Sequence, residues 1–270
     1  MCSAFRSAAI LALVLLATDA AARDLRVCAD PNNLPFSNAR LEGLENKLVD
    51  ILAEELHAHV TYTWWAQRRG FIRNTLNAGL CDLVPGTAAG LEMLQTTKPY
   101  YRSTYVFVTR ADGPQVASLD DPALRTLRIG VPLIGDDGAN PPPAHALARR
   151  GIVANVRGYS IYGDYRQSDP PARIVEAVAA GEIDVAIAWG PLAGYFAPRQ
   201  AVPLRIAPVL PMREAELPMT FAVALGVRRG EDALRDEIET ALTRRRADID
   251  ALLAAYGVPR AENAAREPEP

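Results

Sequence analysis

Neither sign of charge is in excess here: 29 basic residues face 32 acidic ones, for a net charge of −3. Without a basic surplus the chain has no general attraction for nucleic acid or anionic lipid. Lysine is nearly missing, present only at Lys47 and Lys98, and the arginines that stand in its place are spread along the chain. Histidine and cysteine number three each. His57 and His59 have no partner at metal-ligand spacing and His145 stands alone, so no metal site is expected. Glycine-rich phosphate cradles of the Walker or dinucleotide type are absent, and no cofactor is expected. Gly158-Tyr159-Ser160-Ile161-Tyr162-Gly163 is one residue too long for a nucleophile elbow, which argues against a serine hydrolase. Gly135-Asp136-Asp137-Gly138 lacks the alternating ligands of a calcium loop and reads as a turn. After the first 22 residues no run approaches the roughly 18 apolar residues of a membrane span.

What is present is globular: 49% hydrophobic and 23% charged residues in 270, enough for one large or two modest domains. Residues 1–22 read as a signal peptide, with Arg6, an apolar run from Ala8 to Ala17 and small residues before Arg23. Removing them carries away Cys2 and leaves Cys28 and Cys81, an even pair in an oxidising compartment, for which a disulfide is expected.

The chain repeats itself. Leu25-Arg26-Val27 is matched by Leu127-Arg128-Ile129, and Ala78-Gly79-Leu80-Cys81-Asp82 by Ala180-Gly181-Glu182-Ile183-Asp184, both pairs 102 residues apart. Two matches at one spacing indicate a supersecondary unit used twice. In the first copy, a strand at 25–29 leads to a helix carrying Leu44, Leu48, Ile51, Leu52 and Leu56, with Glu45, Lys47, Glu54 and Glu55 opposite. A strand at 60–65, a helix at 71–80 and a strand at 81–84 follow. Trp64 and Trp65 alternate faces, so at least one is expected in the core. The second copy runs 127–131, 144–150, 153–158, 171–180 and 183–188 in the same order. Such an order builds a parallel sheet with right-handed crossovers, whose ligands sit at the carboxyl ends of the strands.

The expected organisation is a signal peptide at 1–22, a first lobe at 23–110, a second at 111–218, a return to the first with C-terminal helices at 219–260, and a loose tail at 261–270. Each lobe is α/β, a parallel-rich sheet flanked by helices, and two crossings make a hinge beside a cleft. Residues 233–256 read as a long helical stretch, with Arg244-Arg245-Arg246 as a solvated face. Candidate cleft residues are Asp30, Asn32, Asn33, Phe36, Thr87, Asp136, Tyr159, Trp189 and Tyr195. No catalytic constellation is evident.

Pro35-Phe36-Ser37, Pro99-Tyr100-Tyr101 and Gly181-Glu182-Ile183-Asp184 on this plan resemble the family 3 periplasmic solute-binding proteins of the amino-acid receptor type, over residues 23–258. The resemblance implies a type II two-lobed fold in which an arginine grips the ligand carboxylate and an aspartate its amino group. Here the segment Thr87-Ala88-Ala89-Gly90-Leu91-Glu92 has no arginine, and Trp189 stands near the aspartate's place. Without those anchors a zwitterion loses its water with little in exchange. Cys28-Ala29-Asp30-Pro31-Asn32-Asn33-Leu34-Pro35-Phe36, together with the strings at 96–110 and 184–197, is similar to the J-type accessory proteins of pyrroloquinoline-quinone (PQQ) methanol dehydrogenases, the MxaJ and XoxJ group. That similarity implies a periplasmic, non-enzymatic protein that assists maturation or activation of a quinoprotein methanol or alcohol dehydrogenase. Its cleft would then hold the enzyme, a segment of it, or a small ligand. Two other readings stand beside it: a transporter's binding protein for a small polar solute, and an enzyme using Asp136, Asp137 or Asp164.

Overall fold

The computed structural model describes residues 23–133, 140–160, 165–166, 168–214 and 216–261. The expected signal peptide, Asp136 and its turn, Asp164, Tyr162 and residues 262–270 of the tail lie outside the described residues. The first half runs β1 (Arg23–Ala29), α1 (Leu44–Glu55), β2 (Ala58–Trp64), α2 (Phe71–Asn74) and β3 (Leu83–Ala88). The long strand β4 (Tyr101–Arg110) follows. The second half runs β5 (Ile129–Leu133), α3 (Pro142–Arg149), β6 (Val156–Ser160), α4 (Arg173–Ala179), β7 (Val185–Trp189) and α5 (Gly190–Phe196). Then come β8 (Leu204–Pro208), β9 (Thr220–Val227), α6 (Asp232–Arg244) and α7 (Arg246–Ala255).

The expected duplication is physical. Arg26 grips Asp82 through Nε and Nη2 at 2.8 and 2.5 Å, and Arg128 grips Asp184 the same way at 3.0 and 2.7 Å. In each half the aspartate amide also donates to the arginine carbonyl, at 2.8 and 2.9 Å. Gly79 and Gly181 hold the turn before each aspartate at φ +76° and +72°, where a side chain is strained. These ion pairs are partly exposed, and each contributes at most about 1 kcal/mol. Their geometric effect is larger, because they set the third strand of each half against the first.

The sheet runs β2-β1-β3-β9-β4-β7-β5-β6, with β8 pairing β4 and a short strand at Gln95–Thr96 pairing β9. Strands β1, β2 and β3 are parallel, as are β5, β6 and β7, whereas β4 and β9 run antiparallel to their neighbours. Tyr101 to Thr104 of β4 pair with β9, and Tyr105 to Arg110 pair with β7 and β8. The first passage between halves therefore lies within β4 rather than in the glycine- and proline-containing segment 111–122. Alternation along the strands separates the cores. In β7, Val185 and Ile187 join Leu147 on one face while Ala186 and Ala188 join Ile174 and Val178 on the other. In β1, Leu25 and Val27 face Leu48 and Leu52 of α1, and Cys28 faces Phe71 and Cys81.

Two expectations are corrected, for the second helix and for the tryptophans. The helix begun at Phe71 stops at Asn74, because Thr75 leaves helical geometry at φ −121°, ψ −80° and its hydroxyl donates to the Phe71 carbonyl at 2.6 Å. The 233–256 stretch is helical as expected, in two helices that meet at Arg245, and Arg244 and Arg246 are exposed as expected while Arg245 is partly buried. Arg244 pairs with Glu55 at 3.3 Å, Arg245 with Glu54 at 3.0 Å and Arg246 with Asp250 at 3.0 Å, so the first two dock the C-terminal helices onto α1. Neither Trp64 nor Trp65 is buried: Trp65 is 43% exposed and Trp64 stacks on Tyr62 at 4.6 Å. The reason is that β2 is an edge strand of the sheet.

Cys28 and Cys81 form the expected disulfide, with Cα atoms 5.6 Å apart and a loop of 53 residues between them. In the chain-entropy account a loop of that length stabilises the fold by about 4 kcal/mol. The double variant Cys28→Ala, Cys81→Ala should lose about that much in denaturant unfolding; an unchanged midpoint would show that the bridge does not constrain the unfolded chain.

Candidate functional site

The carboxyl ends of the strands meet at a cavity of about 330 Å³ between the halves. The first half contributes Asn33, Phe36, Glu45, Gln67, Gly86, Ala88 and Tyr101 to its wall. The second contributes Pro132, Pro142, Pro171, Ile174, Ala188, Trp189 and Leu192, and the crossing strands add Tyr105, Phe221 and Val223. Tyr105, Trp189 and Phe221 form an edge-on cluster with ring centres 5.4 to 6.4 Å apart. Glu45 is the one ionisable acid in this wall, and no arginine or lysine belongs to it among the described residues.

Of the expected cleft residues, Asn33, Phe36 and Trp189 line this cavity. Asp30 lies behind it, 1% exposed, its carboxylate accepting from the amides of Asn32 and Gln67 at 2.8 Å each. Burial raises its pKa, opposed by those two bonds and by a hydrogen bond from Tyr165 of the second half. Asn33 in turn donates to the Gln67 side chain at 3.0 Å. Asp30 thus ties the first loop to the segment after β2, and Asn32 serves through its backbone amide. Leu34 of the same loop is buried with Val106, Ala172 and Phe196 of the second half, so the two halves are in contact beside the cavity.

Three other candidates are placed elsewhere. Thr87 is buried in β3, its hydroxyl 3.4 Å from the Ala224 carbonyl. Tyr159 is partly buried against the cluster that contains Ile174, and its hydroxyl is buried without a partner. Tyr195 stacks on Tyr256 at 5.4 Å and carries the Arg199 guanidinium 3.6 Å above its ring. None of the three is in the cavity wall, because β3, β6 and α5 turn these side chains to sheet pairing, to a core and to the C-terminal helix.

Glu45 was assigned to the solvent face of α1, and the structure reverses this. It is 5% exposed, on the buried side of the first helical turn with Leu44, Leu48, Val49 and Leu52. The spacing 45, 49, 52 is itself helical, and it was the available signal. A Cβ on Gly86 would lie 1.7 Å from Glu45 Oε1, so glycine is required where β3 passes the carboxyl. Among the described residues no hydrogen bond or ion pair reaches that carboxyl. Burial, with a smaller push from Asp30, raises its pKa from 4.5 to about 8.

The sequence profile of the bacterial extracellular solute-binding proteins, family 3, matches residues 25–258. The chain belongs to this family. Protein MoxJ of Methylorubrum extorquens is 32% identical over 244 residues, which cover 87% of this chain and 81% of that protein. Protein MoxJ of Paracoccus denitrificans is 31% identical over 270 residues, 96% of each chain. The crystal structure of the periplasmic binding protein XoxJ from Methylobacterium extorquens AM1 superposes with a TM-score of 0.72 at 38% identity, covering 88% of this chain and all of that one. This family 3 protein accordingly has the type II periplasmic binding fold. No helix among the described residues is long and apolar enough to cross a membrane.

In the folded protein the Glu45 carboxyl stays protonated up to about pH 8, whereas in the unfolded chain it ionises near pH 4.5. The folded state therefore binds the extra proton, and stability falls as pH rises through that window, by up to about 5 kcal/mol from this group. Glu45→Gln should raise the melting temperature most at pH 8 and least near pH 4.5. A gap independent of pH would remove Glu45 as the buried titrating group.

Proposed function

We propose that this protein is a non-enzymatic periplasmic partner of a quinoprotein methanol or alcohol dehydrogenase, which it assists in maturation or activation by binding the enzyme or a segment of it in the cavity. The observation that carries the reading is the cavity wall, aromatic and proline-rich, with no arginine among its described residues to receive a ligand carboxylate. Such a wall favours apolar side chains over a zwitterionic amino acid, since a buried unpaired carboxylate costs several kcal/mol. The MxaJ and XoxJ resemblance of the first loop supports this choice of partner, as does the similarity to proteins named MoxJ and XoxJ.

A second reading, a transporter's binding protein for a small solute, draws on the cavity's volume of about 330 Å³, within the range of small-molecule sites. A free solute at 100 times its Kd stabilises the protein by about 2.7 kcal/mol, so a thermal-shift screen of polar metabolites reveals it. Affinity purification of the tagged protein from methanol-grown cells should bring down the dehydrogenase, and a deletion strain should lose most of the enzyme's activity. Normal activity in the deletion strain, with no co-purification, defeats the helper reading.

A further inference from the structure

The cavity wall holds an electrostatic imbalance that nothing among the described residues relieves. Glu45 lies 5% exposed in that wall, with Asp30, itself 1% exposed, near enough to raise its pKa. Asp30 spends its oxygens on the amides of Asn32 and Gln67, but the Glu45 carboxyl has no partner among the described residues. A buried acid left without a partner normally costs free energy with no return. Here it lies at the edge of an open cavity: the carboxyl packs against Gly86, with Oε1 where a side chain at that position would begin, and both residues border the cavity. An anionic ligand would meet Glu45 and Asp30 with no lining cation among the described residues to offset them. A neutral apolar ligand would leave the acid unsatisfied. The aromatic faces of Phe36, Tyr101, Trp189 and Phe221 attract cations through their ring quadrupoles.

We propose that the cavity takes a primary alkylammonium group, its nitrogen meeting the Glu45 carboxylate and its hydrocarbon stem lying among Phe36, Trp189 and Phe221. The inference deepens the reading above, because a lysine side chain of a bound dehydrogenase segment carries this group, and a free alkylamine carries it too. The cation differs from an amino acid in needing no carboxylate anchor, which the wall lacks. Binding transfers one proton from the neutral Glu45 to the buffer, and the resulting carboxylate pairs with the ammonium in a water-poor site, where charge-assisted hydrogen bonds are strongest. The titratable groups that act on Glu45 are Asp30 after β1, Tyr62 on β2, and Tyr100 and Tyr101 at the start of β4. Burial drives all three phenols above their ordinary value, so they keep their protons at pH 7.

The test is calorimetric titration of the full mature chain at pH 7 with pentylammonium, Nα-acetyl-lysine N-methylamide, pentanol and pentanoate, each in two buffers of different ionisation heat. At least one ammonium probe should bind tenfold or more tighter than pentanol and pentanoate, with close to one proton released. Glu45→Gln should weaken that probe at least tenfold and abolish the release. Binding of the lysine amide supports a protein segment as the source, and binding of pentylammonium alone supports a free amine. No preference for the ammonium over pentanol, or a preference that survives Glu45→Gln, overturns the inference. If the wild-type protein still co-purifies with the dehydrogenase in that case, only this inference falls; absence of co-purification with intact ammonium binding removes the helper reading and leaves the site.

Discussion

One uninterrupted strand ties the molecule together. From Tyr101 to Thr104 it hydrogen-bonds to β9, and from Tyr105 to Arg110 to β7 and β8, so a single backbone ladder belongs to both halves. Strand β9 lies beside it and pairs onward with β3. The two passages between halves are thus neighbours in one sheet, and their register places the ends of β3 and β7 opposite each other. The cavity is the space left there, and Tyr101, Tyr105 and Phe221 enter its wall directly from the crossing strands.

Around that shared strand, each half is a copy of the same unit. The Arg26–Asp82 and Arg128–Asp184 pairs occupy equivalent places in the two copies. Hydrogen bonds from Arg128 hold the Asp184 carboxyl below its ordinary value. At Asp82 burial works the other way, and the bonds from Arg26 and Arg228 outweigh it. The copies diverge where the ligand side begins. The first presents Asp30, Asn33 and Phe36 after its opening strand, and the second ends its last strand in Trp189. The disulfide secures only the first copy, between β1 and the start of the segment leading into β3.

The wall's chemistry separates this protein from receptors that hold a free amino acid. Among the described residues it combines a broad apolar surface with one carboxylic acid whose pKa is raised by burial, and it offers no cation to a carboxylate. Beside the cavity Leu34 and Tyr165 link the halves, Leu34 by packing on the second core and Tyr165 by a hydrogen bond with Asp30.

The sequence determined the parts whose physics is local. Strand-helix-strand periodicity, the repeat at a fixed spacing, the paired cysteines and the loop Asn32-Asn33-Leu34-Pro35-Phe36 each follow from short-range pattern, and Trp189 lay within reach because an apolar strand ends on it. The tertiary structure decided the rest. Whether Glu45 sits in water or in the cavity depends on β3 passing over α1 with glycine at position 86, a contact between segments some 40 residues apart. Tyr159 and Tyr195 left the site for a related reason, since Tyr159 packs on the cluster that contains Ile174 and Tyr195 stacks on Tyr256 of the C-terminal region. Periodicity tells which face of an element is apolar; only the closing of one half upon the other tells which of its polar residues is shut away from water.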